Sequence, residues 1–542
     1  MEVFFTFITA LVLTMALIPP LMHGAARLDF LDIPGSRKIH ARAIPCVGGI
    51  AMVFGFVLPL LFWLPIDRQL SALLVGLGIL FVFGVWDDRR DLDYRFKFLG
   101  QLLAVLIVVV YGDVVVAVVP FFGFDPVPAW FSIPLTVVAL VGITNAINLA
   151  DGLDGLAAGT TLLSLAAIGL MAFYANDTQL VLMTVAAIGV SLGFLRFNTY
   201  PARIFMGDTG SQFLGFTVGV LAIVLTQKTN TALNPALPLL LLGLPVFDTL
   251  YVMATRIYHR RSPFAPDNNH VHHKLLALGF DHYEAVALIY LAQAVFVASA
   301  VVFRYQSDLF VVSLYVAINL LFSMILYKLA RSPWRAHHPG RQSKLARAIA
   351  ALDESSLIQR VPLTAVRILL PFGLVVGPIL APEVTWDLGA TAALLFVLLS
   401  LRLAFGYKLW FLLLRLLIYV TGALVVYLTA HLGAGLPEPL WVNAEYAYNG
   451  VLIAALVFGV RYTKNEAFRV TPTDFLVGMI VVGFGFVPQA HLPEYNIAAF
   501  VVKLVIFFYA SELIMRNMTS RWNGLTLSAL WALGVIGVRG MG

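Results

Sequence analysis

Cysteine is nearly absent from this chain of 542 residues: Cys46 stands alone, which excludes an internal disulfide framework and leaves the redox compartment open. Charge is scarce as well. Only 12% of the residues are Asp, Glu, Lys or Arg, while 60% are hydrophobic, and the mean hydropathy of +0.90 is far above that of a soluble chain of this length. The net charge of +6 does not mark a nucleic-acid binder, because the basic residues are scattered among many short connectors, where they serve as topology signals. A cleavable leader is not expected either. The first apolar run, 3–21, lacks a basic segment before it and ends on Pro19-Pro20 and Leu21 instead of a small-residue cleavage site, so it reads as a first membrane span.

What remains is apolar runs of spanning length. The expected fold is an all-α, polytopic transmembrane helical bundle. Spans are placed near 3–22, 47–66, 70–86, 98–120, 131–149, 156–174, 178–195, 210–226, 235–256, 283–302 and 308–329, with later runs near 364–381, 386–401, 409–430, 446–460, 472–487, 497–512 and 522–537. This divides the chain into a first membrane domain, 1–330, a basic and partly amphipathic linker, 331–363, and a second membrane domain, 364–542. In the first domain the connectors beginning at His23, Asp87, Arg196, Ile257 and Lys328 hold roughly twenty Lys and Arg, the opposite set about three, so the basic set is cytoplasmic and the N-terminus outside.

Every polar cluster falls in a cytoplasmic connector. The stretch NAINLADGLDGLAAG, 145–159, sets Asn145, Asn148, Asp151 and Asp154 at intervals of three between two apolar runs. Three such steps in a helix drift by roughly half a turn, so the helix must end near Gly152 if the four are to meet. Broken there, it folds amides and carboxylates around one point that suits a cation or a phosphate, although a polar connector between two spans needs only the same turn residues. Asp87 and Asp88 are adjacent at the end of an apolar helix, and such carboxylates repel unless a cation or proton lies between them; pairing with Arg89 and Arg90 is the simpler reading. The first connector concentrates Arg37, Lys38, His40 and Arg42, a cradle for an anionic head group or a plain positive-inside anchor. Asp208, between Gly207 and Thr209, either caps the following span or offers an oxygen to a metal. Asp248 sits inside an apolar run, where a carboxylate needs a purpose or a partner such as Arg256. His270, His272 and His273 could ligate zinc, but no cysteine accompanies them, and the oxygen-rich remainder favours magnesium or manganese.

Taken together, five loop motifs resemble those of the polyprenyl-phosphate N-acetylhexosamine-1-phosphate transferases of bacterial and archaeal membranes. They are Arg37-Lys38-x-His40, Asp87-Asp88, Asn145-x-x-Asn148-x-x-Asp151-Gly-x-Asp154-Gly, Gly207-Asp208-x-Gly210-Ser211 and the histidine cluster, in the family's order across 1–330. Ala43 departs from the family, which often has proline there. The run SPFAPDNNHVHH looks like the branch that primes O-antigen, enterobacterial common antigen or teichoic acid synthesis, with N-acetylglucosamine the foremost sugar.

The resemblance implies transfer of an N-acetylhexosamine 1-phosphate from a UDP-N-acetylhexosamine to undecaprenyl or another polyprenyl phosphate, with release of UMP, at the cytoplasmic side of the cytoplasmic membrane. It implies Mg2+, with Mn2+ as an alternative, held first by Asp208 with Asp88 and Asp151 or Asp154 nearby. Asp87, Asp88 and Asp208 would be catalytic, Asp87 by orienting or deprotonating the acceptor. Asn145, Asn148, Asp151, Asp154, Arg37, Lys38, His40 and Lys97 would contact substrates, Asn148 and Asp154 the uridine nucleotide, and His270, His272 and His273 the phosphates. A phosphate monoester has a second pKa of about 6 and is already mostly ionised at neutral pH, so cationic neutralisation matters more than base catalysis. A homodimer is one option for helices packed in a membrane.

The resemblance ends near Lys328. In the second domain Arg415 and Lys503 fall inside apolar runs and read as snorkelling to an interface or as lipid-phosphate contacts. A secondary transporter is the alternative from another class, but transporters place acids near the midplane of repeated halves, whereas here they line one face.

Overall fold

The computed structural model describes residues 2–33, 43–90, 92–123, 125–262, 269–336, 356–381, 383–405, 411–429, 497–516 and 524–542, with short stretches between 445 and 479. Among these, twelve helices are long and apolar enough to cross a membrane. The chain separates into two compact units, Met1–His338 with Thr471–Met479, and Pro339–Val470 with Ile480–Gly542.

In the first unit, helices stand at all eleven expected spans: α1 Glu2–Ala25, α2 Gly48–Trp63, α3 Arg68–Arg90, α4 Tyr94–Leu106, α5 Ala129–Ala150, α6 Leu156–Tyr174, α7 Thr178–Asn198, α8 Gly207–Val224, the pair α9 Leu237–Leu241 and α10 Gly243–Tyr258, α12 His282–Val302 and α13 Asp308–Arg331, while α11 Val271–Ala277 lies in a connector. The axis of this unit is α8. Every residue of its apolar window is buried, and Gly210 and Gly215 let the backbones of α2 and α5 come so close that a Cβ would meet Gly49 Cα at 3.0 Å and Thr144 Cα at 2.8 Å. Small residues at such crossings allow close van der Waals packing where lipid offers no hydrophobic drive between helices.

Two expected spans differ from what forms. The run 98–120 is helical only as far as a π turn, Ile107–Tyr111, because Gly112 and the left-handed Asp113 (φ 54°) end it. The residues that follow form no helix, and Ala117 N–H turns back to Val115 C=O at 3.0 Å. Their backbone is satisfied by Gln227, whose Oε1 accepts from the N–H groups of Ala117 and Val118 at 3.1 and 2.9 Å. The run 235–256 is broken between α9 and α10. There the buried Gln293 of α12 supplies the missing partners, accepting from Leu244 N–H at 3.0 Å and donating to Leu241 C=O at 2.8 Å. An unsatisfied amide in the hydrocarbon would cost several kcal/mol, so one side chain makes the break tolerable.

A two-stranded antiparallel hairpin, β1 Leu31–Asp32 with β2 Ile44–Pro45, frames the first basic connector. It is stitched to the segment before α8 by Phe205 N–H to Pro45 C=O at 2.8 Å and Gly48 N–H to Phe205 C=O at 3.0 Å.

In the second unit the described helices include Ser356–Leu380, Trp386–Phe405, Phe411–Thr429, Ile497–Arg516 and Gly524–Met541. The expected span 446–460 is a helix over Ala447–Leu456, while most of 472–487 and of the linker falls outside the described residues. Arg415 and Lys503 are not lone snorkelling cations. Arg415 pairs with Glu512 at 3.4 Å and Lys503 with Glu445, so each half-buried charge has an opposite partner within this unit.

Candidate active site

The C-termini of α3 and α5 and the N-termini of α4 and α8 meet at one end of the first unit. They do so because a polar side chain from each is needed by another. Asp88, at the end of α3, accepts from the N–H of Asp208 at 2.6 Å and from the N–H and hydroxyl of Thr209 at 3.2 and 2.6 Å. The cap of α8 is thus supplied from a distant part of the chain, and an anion is favoured there by the helix dipole. Gly207 makes this approach possible: it is left-handed (φ 67°), and a Cβ on it would lie 2.4 Å from Asp88.

Lys97 reaches in from the first turn of α4 and bridges two carboxylates, Asp87 at 2.7 Å and Asp208 at 3.1 Å. Asp87 is buried at 4% exposure, and its other oxygen accepts from Leu92 N–H at 2.7 Å. The second oxygen of Asp208 accepts from Asn148 Nδ2 at 2.5 Å, and the same amide lies 2.7 Å from Ser211 Oγ. The helix α5 ends at Ala150 as the break at Gly152 requires, and Asp151 follows directly. No hydrogen bond reaches the Asp151 carboxylate among the described residues. Burial and the charges of Asp208, Asp154 and Asp88 push it up to about 7. Cys46, one residue beyond the hairpin, is also within reach of this field: burial, then Asp88, Asp32, Asp151 and Asp208, push its thiol up.

Two polar residues of the 145–154 stretch have other tasks. The Asn145 amide donates to Gln101 Oε1 at 2.7 Å and to Val141 C=O at 2.8 Å, so it binds α5 to α4 and does not join the carboxylate cluster. Asp154 accepts from Ala202 N–H at 2.8 Å, tying the loop to the segment before α8. Two residues missed in the sequence hold the same loop: Asn198 Oδ1 accepts from Gly155 N–H at 2.8 Å, and the hydroxyl of the buried Tyr290 donates to Gly155 C=O at 2.7 Å. Tyr290 and Gln293 are polar atoms three residues apart in an apolar run, a signal that was there to be read.

The three histidines separate into different environments. His272 is buried at 4% exposure, and its ring lies so close to Gly152 that a Cβ there would fall 2.4 Å from Nε2. Burial first, then the charges of His273, His270 and His282, hold its pKa down to about 3. Its ring is held neutral and packs against the Gly152 backbone. His270 is tied to Asp248 through Nδ1 at 2.8 Å, so Asp248 is partnered by His270 and not by Arg256. His273 keeps part of its surface exposed. Arg37, Lys38 and His40 lie outside the described residues.

The donor set around Asp208 is all oxygen, with Lys97 as the cation that bridges it. Among the described residues, no three His, Cys, Asp or Glu side chains are arranged as a ready metal cage. An oxygen donor set of this kind could hold Mg2+, which takes one or two carboxylates and fills its octahedron with water and phosphate oxygens. Asp208 and Asp151 could hold it; the oxygens of Asp88 serve the end of α8, and those of Asp208 also meet Asn148 and Lys97.

Residues 70–226 match the family model described as Glycosyl transferase family 4. The chain is 36% identical over 323 residues to the Probable undecaprenyl-phosphate N-acetylglucosaminyl 1-phosphate transferase of Bacillus subtilis (strain 168), covering 59% of this chain and 88% of that protein. It is 30% identical over 312 residues to the Undecaprenyl-phosphate alpha-N-acetylglucosaminyl 1-phosphate transferase of Escherichia coli (strain K12), covering 56% and 84%. With the Decaprenyl-phosphate N-acetylglucosaminephosphotransferase of Mycolicibacterium smegmatis it shares 35% over 298 residues, covering 49% and 73%.

Proposed function

Because this chain belongs to glycosyl transferase family 4, we propose that the end of the bundle built by Asp87, Asp88, Lys97, Asn148, Asp151 and Asp208 is its phosphoglycosyl transfer site. The protein is a multi-pass membrane enzyme that transfers N-acetylglucosamine 1-phosphate to a polyprenyl phosphate. The donor is a UDP-sugar and the leaving group UMP. The relatives differ in naming undecaprenyl or decaprenyl, so the acceptor is stated by class. The observation that carries the reading is the crowding of carboxylates around Lys97 and Asp208 at one end of the bundle.

The chemistry follows from charge. The acceptor phosphate is mostly dianionic at neutral pH, and the donor diphosphate is anionic as well, so the site must bring like charges together. A bound Mg2+, held by Asp208 and Asp151, would neutralise phosphate oxygens and the charge that builds on the leaving UMP. Lys97 contributes a second positive charge at the same point, and Asp87 and Asp208 aim it. Asn148 fixes the Asp208 rotamer, and Asp88 fixes the backbone beneath it. With an ionised nucleophile, direct attack of an acceptor oxygen on the donor's sugar-linked phosphorus suffices and forms no covalent enzyme intermediate. His270 and His273 act as phosphate contacts at the other side of the loop. The basic connectors support a cytoplasmic position for this end, where a soluble nucleotide donor and a lipid-anchored acceptor can meet.

The test is turnover by the purified full chain in detergent with Mg2+, polyprenyl phosphate and UDP-N-acetylglucosamine labelled in the sugar. Label entering lipid with stoichiometric UMP supports the reading. Transfer from another UDP-N-acetylhexosamine alone corrects the sugar, and no transfer from any donor refutes it.

A further inference from the structure

Asp248 has no place in the transfer site as described, yet it is buried at 8% exposure inside an apolar helix, and a carboxylate there must be compensated. Its compensation is specific. One oxygen, Oδ2, lies 2.8 Å from His270 Nδ1, and the other, Oδ1, accepts from Val271 N–H at 3.0 Å. Because an ionised carboxylate only accepts, Nδ1 carries a proton, and Nε2 is the ring atom left for a ligand; it donates to a phosphate oxygen when the ring is an imidazolium, the form whose charge Asp248 offsets. The second bond fixes the backbone of the next residue, so both the ring and the turn that carries it are held from α10. His270 itself is 5% exposed, and its ring is stacked on that of His272 with centroids 5.8 Å apart, which leaves it little freedom to rotate.

The support behind Asp248 is equally fixed. It lies in the second turn of α10, just beyond the break that Gln293 bridges, and Gln293 is anchored in turn to Ser164 of α6 at 3.2 Å. A second tie joins the same two elements, the Lys274 ammonium lying 4.4 Å above the Tyr251 ring. The connector carrying the histidines is therefore registered against a rigid membrane helix and not left to a surface loop.

We propose that Asp248 is a positioning residue of the transfer reaction: it pairs with the His270 imidazolium through Nδ1–H and holds the ring in one orientation, so that Nε2–H donates to a substrate phosphate. The proposal rests on the reading of His270 as a phosphate contact. Asp248 touches no substrate and acts only through His270, which makes the two residues non-additive.

The experiment is a double-mutant cycle on the full-length protein in detergent, with kcat and KM for UDP-N-acetylglucosamine and for polyprenyl phosphate measured on wild type, Asp248→Asn, His270→Ala and the double variant, beside their melting temperatures. Asn keeps an oxygen for Val271 N–H but presents an amide N–H to Nδ1 and removes the negative charge that pairs with the imidazolium, so the ring can no longer donate from both nitrogens. The expected result is a rise in KM for one phosphate substrate of at least about tenfold in each single variant, kcat within about threefold, and a double variant no worse than His270→Ala. An Asp248→Asn enzyme with wild-type constants, or one that adds its defect to that of His270→Ala, overturns the proposal. Loss of folding in Asp248→Asn while His270→Ala stays folded also overturns it, by making the carboxylate purely structural. An unaffected His270→Ala sinks the reading of His270 on which the proposal stands, an outcome distinct from failure of Asp248 alone.

Discussion

The two ends of the first membrane unit use the same residue for different ends. At the end away from the transfer site, acids are dispersed and each closes a local gap. Asp177 accepts from Leu180 N–H at 2.9 Å and from Thr229 Oγ1 at 2.6 Å. Asp308 accepts from Phe121 N–H and Asn234 Nδ2 at 2.7 and 2.6 Å, and Asp113 pairs with Lys228 at 3.2 Å. At the other end Asp87, Asp88, Asp151 and Asp208 converge, and Lys97 is shared between two of them. Aspartates that staple loops are a stability device, whereas aspartates crowded beyond their counter-charge are unfavourable on their own and persist where a cation or cationic clamp completes them.

That contrast can be broken by substitution. Asp208→Asn removes a carboxylate while keeping its shape, and turnover should fall on the order of a thousandfold, about 4 kcal/mol of transition-state stabilisation, with the melting temperature nearly unchanged. Asp88→Ala should lower turnover by about a hundredfold and stability by about 1–2 kcal/mol, since Asp88 holds the backbone of Asp208 and caps α8 at once; detergent melting curves and initial rates measure both. The acid end should also titrate. Asp151 is raised to about 7, so its proton competes with a metal: divalent-cation affinity should weaken as pH falls through that value and strengthen above it. In the absence of a cation the sign reverses for stability. The raised carboxyl binds its proton more tightly in the folded protein, so its ionisation destabilises the fold progressively from the ordinary carboxylate range up to about 7. The smallest effect belongs to the stapling end. Asp177→Ala should lose about 1 kcal/mol from a missing cap and leave turnover within about twofold.

The spans were legible because twenty apolar residues have few alternatives, and the break after Ala150 was legible from spacing alone. What stayed hidden depends on partners distant in the chain. Nothing local to Asp88 says that its oxygens cap a helix beginning at Gly207, and nothing in Asn145 says that its amide is taken by Gln101. The three histidines read as equivalents, yet burial against Gly152 makes His272 neutral and Asp248 gives His270 a fixed ring. The failures at 98–120 and 235–256 share one cause: hydropathy measures whether a run prefers lipid, and it does not detect Gln227 or Gln293 satisfying a backbone that leaves the helix. In the second unit Arg415 was visible as an oddity, but its partner Glu512, about a hundred residues on, could be matched to it only in three dimensions.

The most direct test of the account is Mn2+ binding to the purified protein, followed by its paramagnetic spectrum, in wild type, Asp208→Asn and Asp177→Ala at fixed pH. The account predicts a bound ion in wild type and Asp177→Ala whose affinity drops at least about tenfold in Asp208→Asn. Equal binding by all three proteins would contradict it, because the crowded acids would then not be where the cation sits.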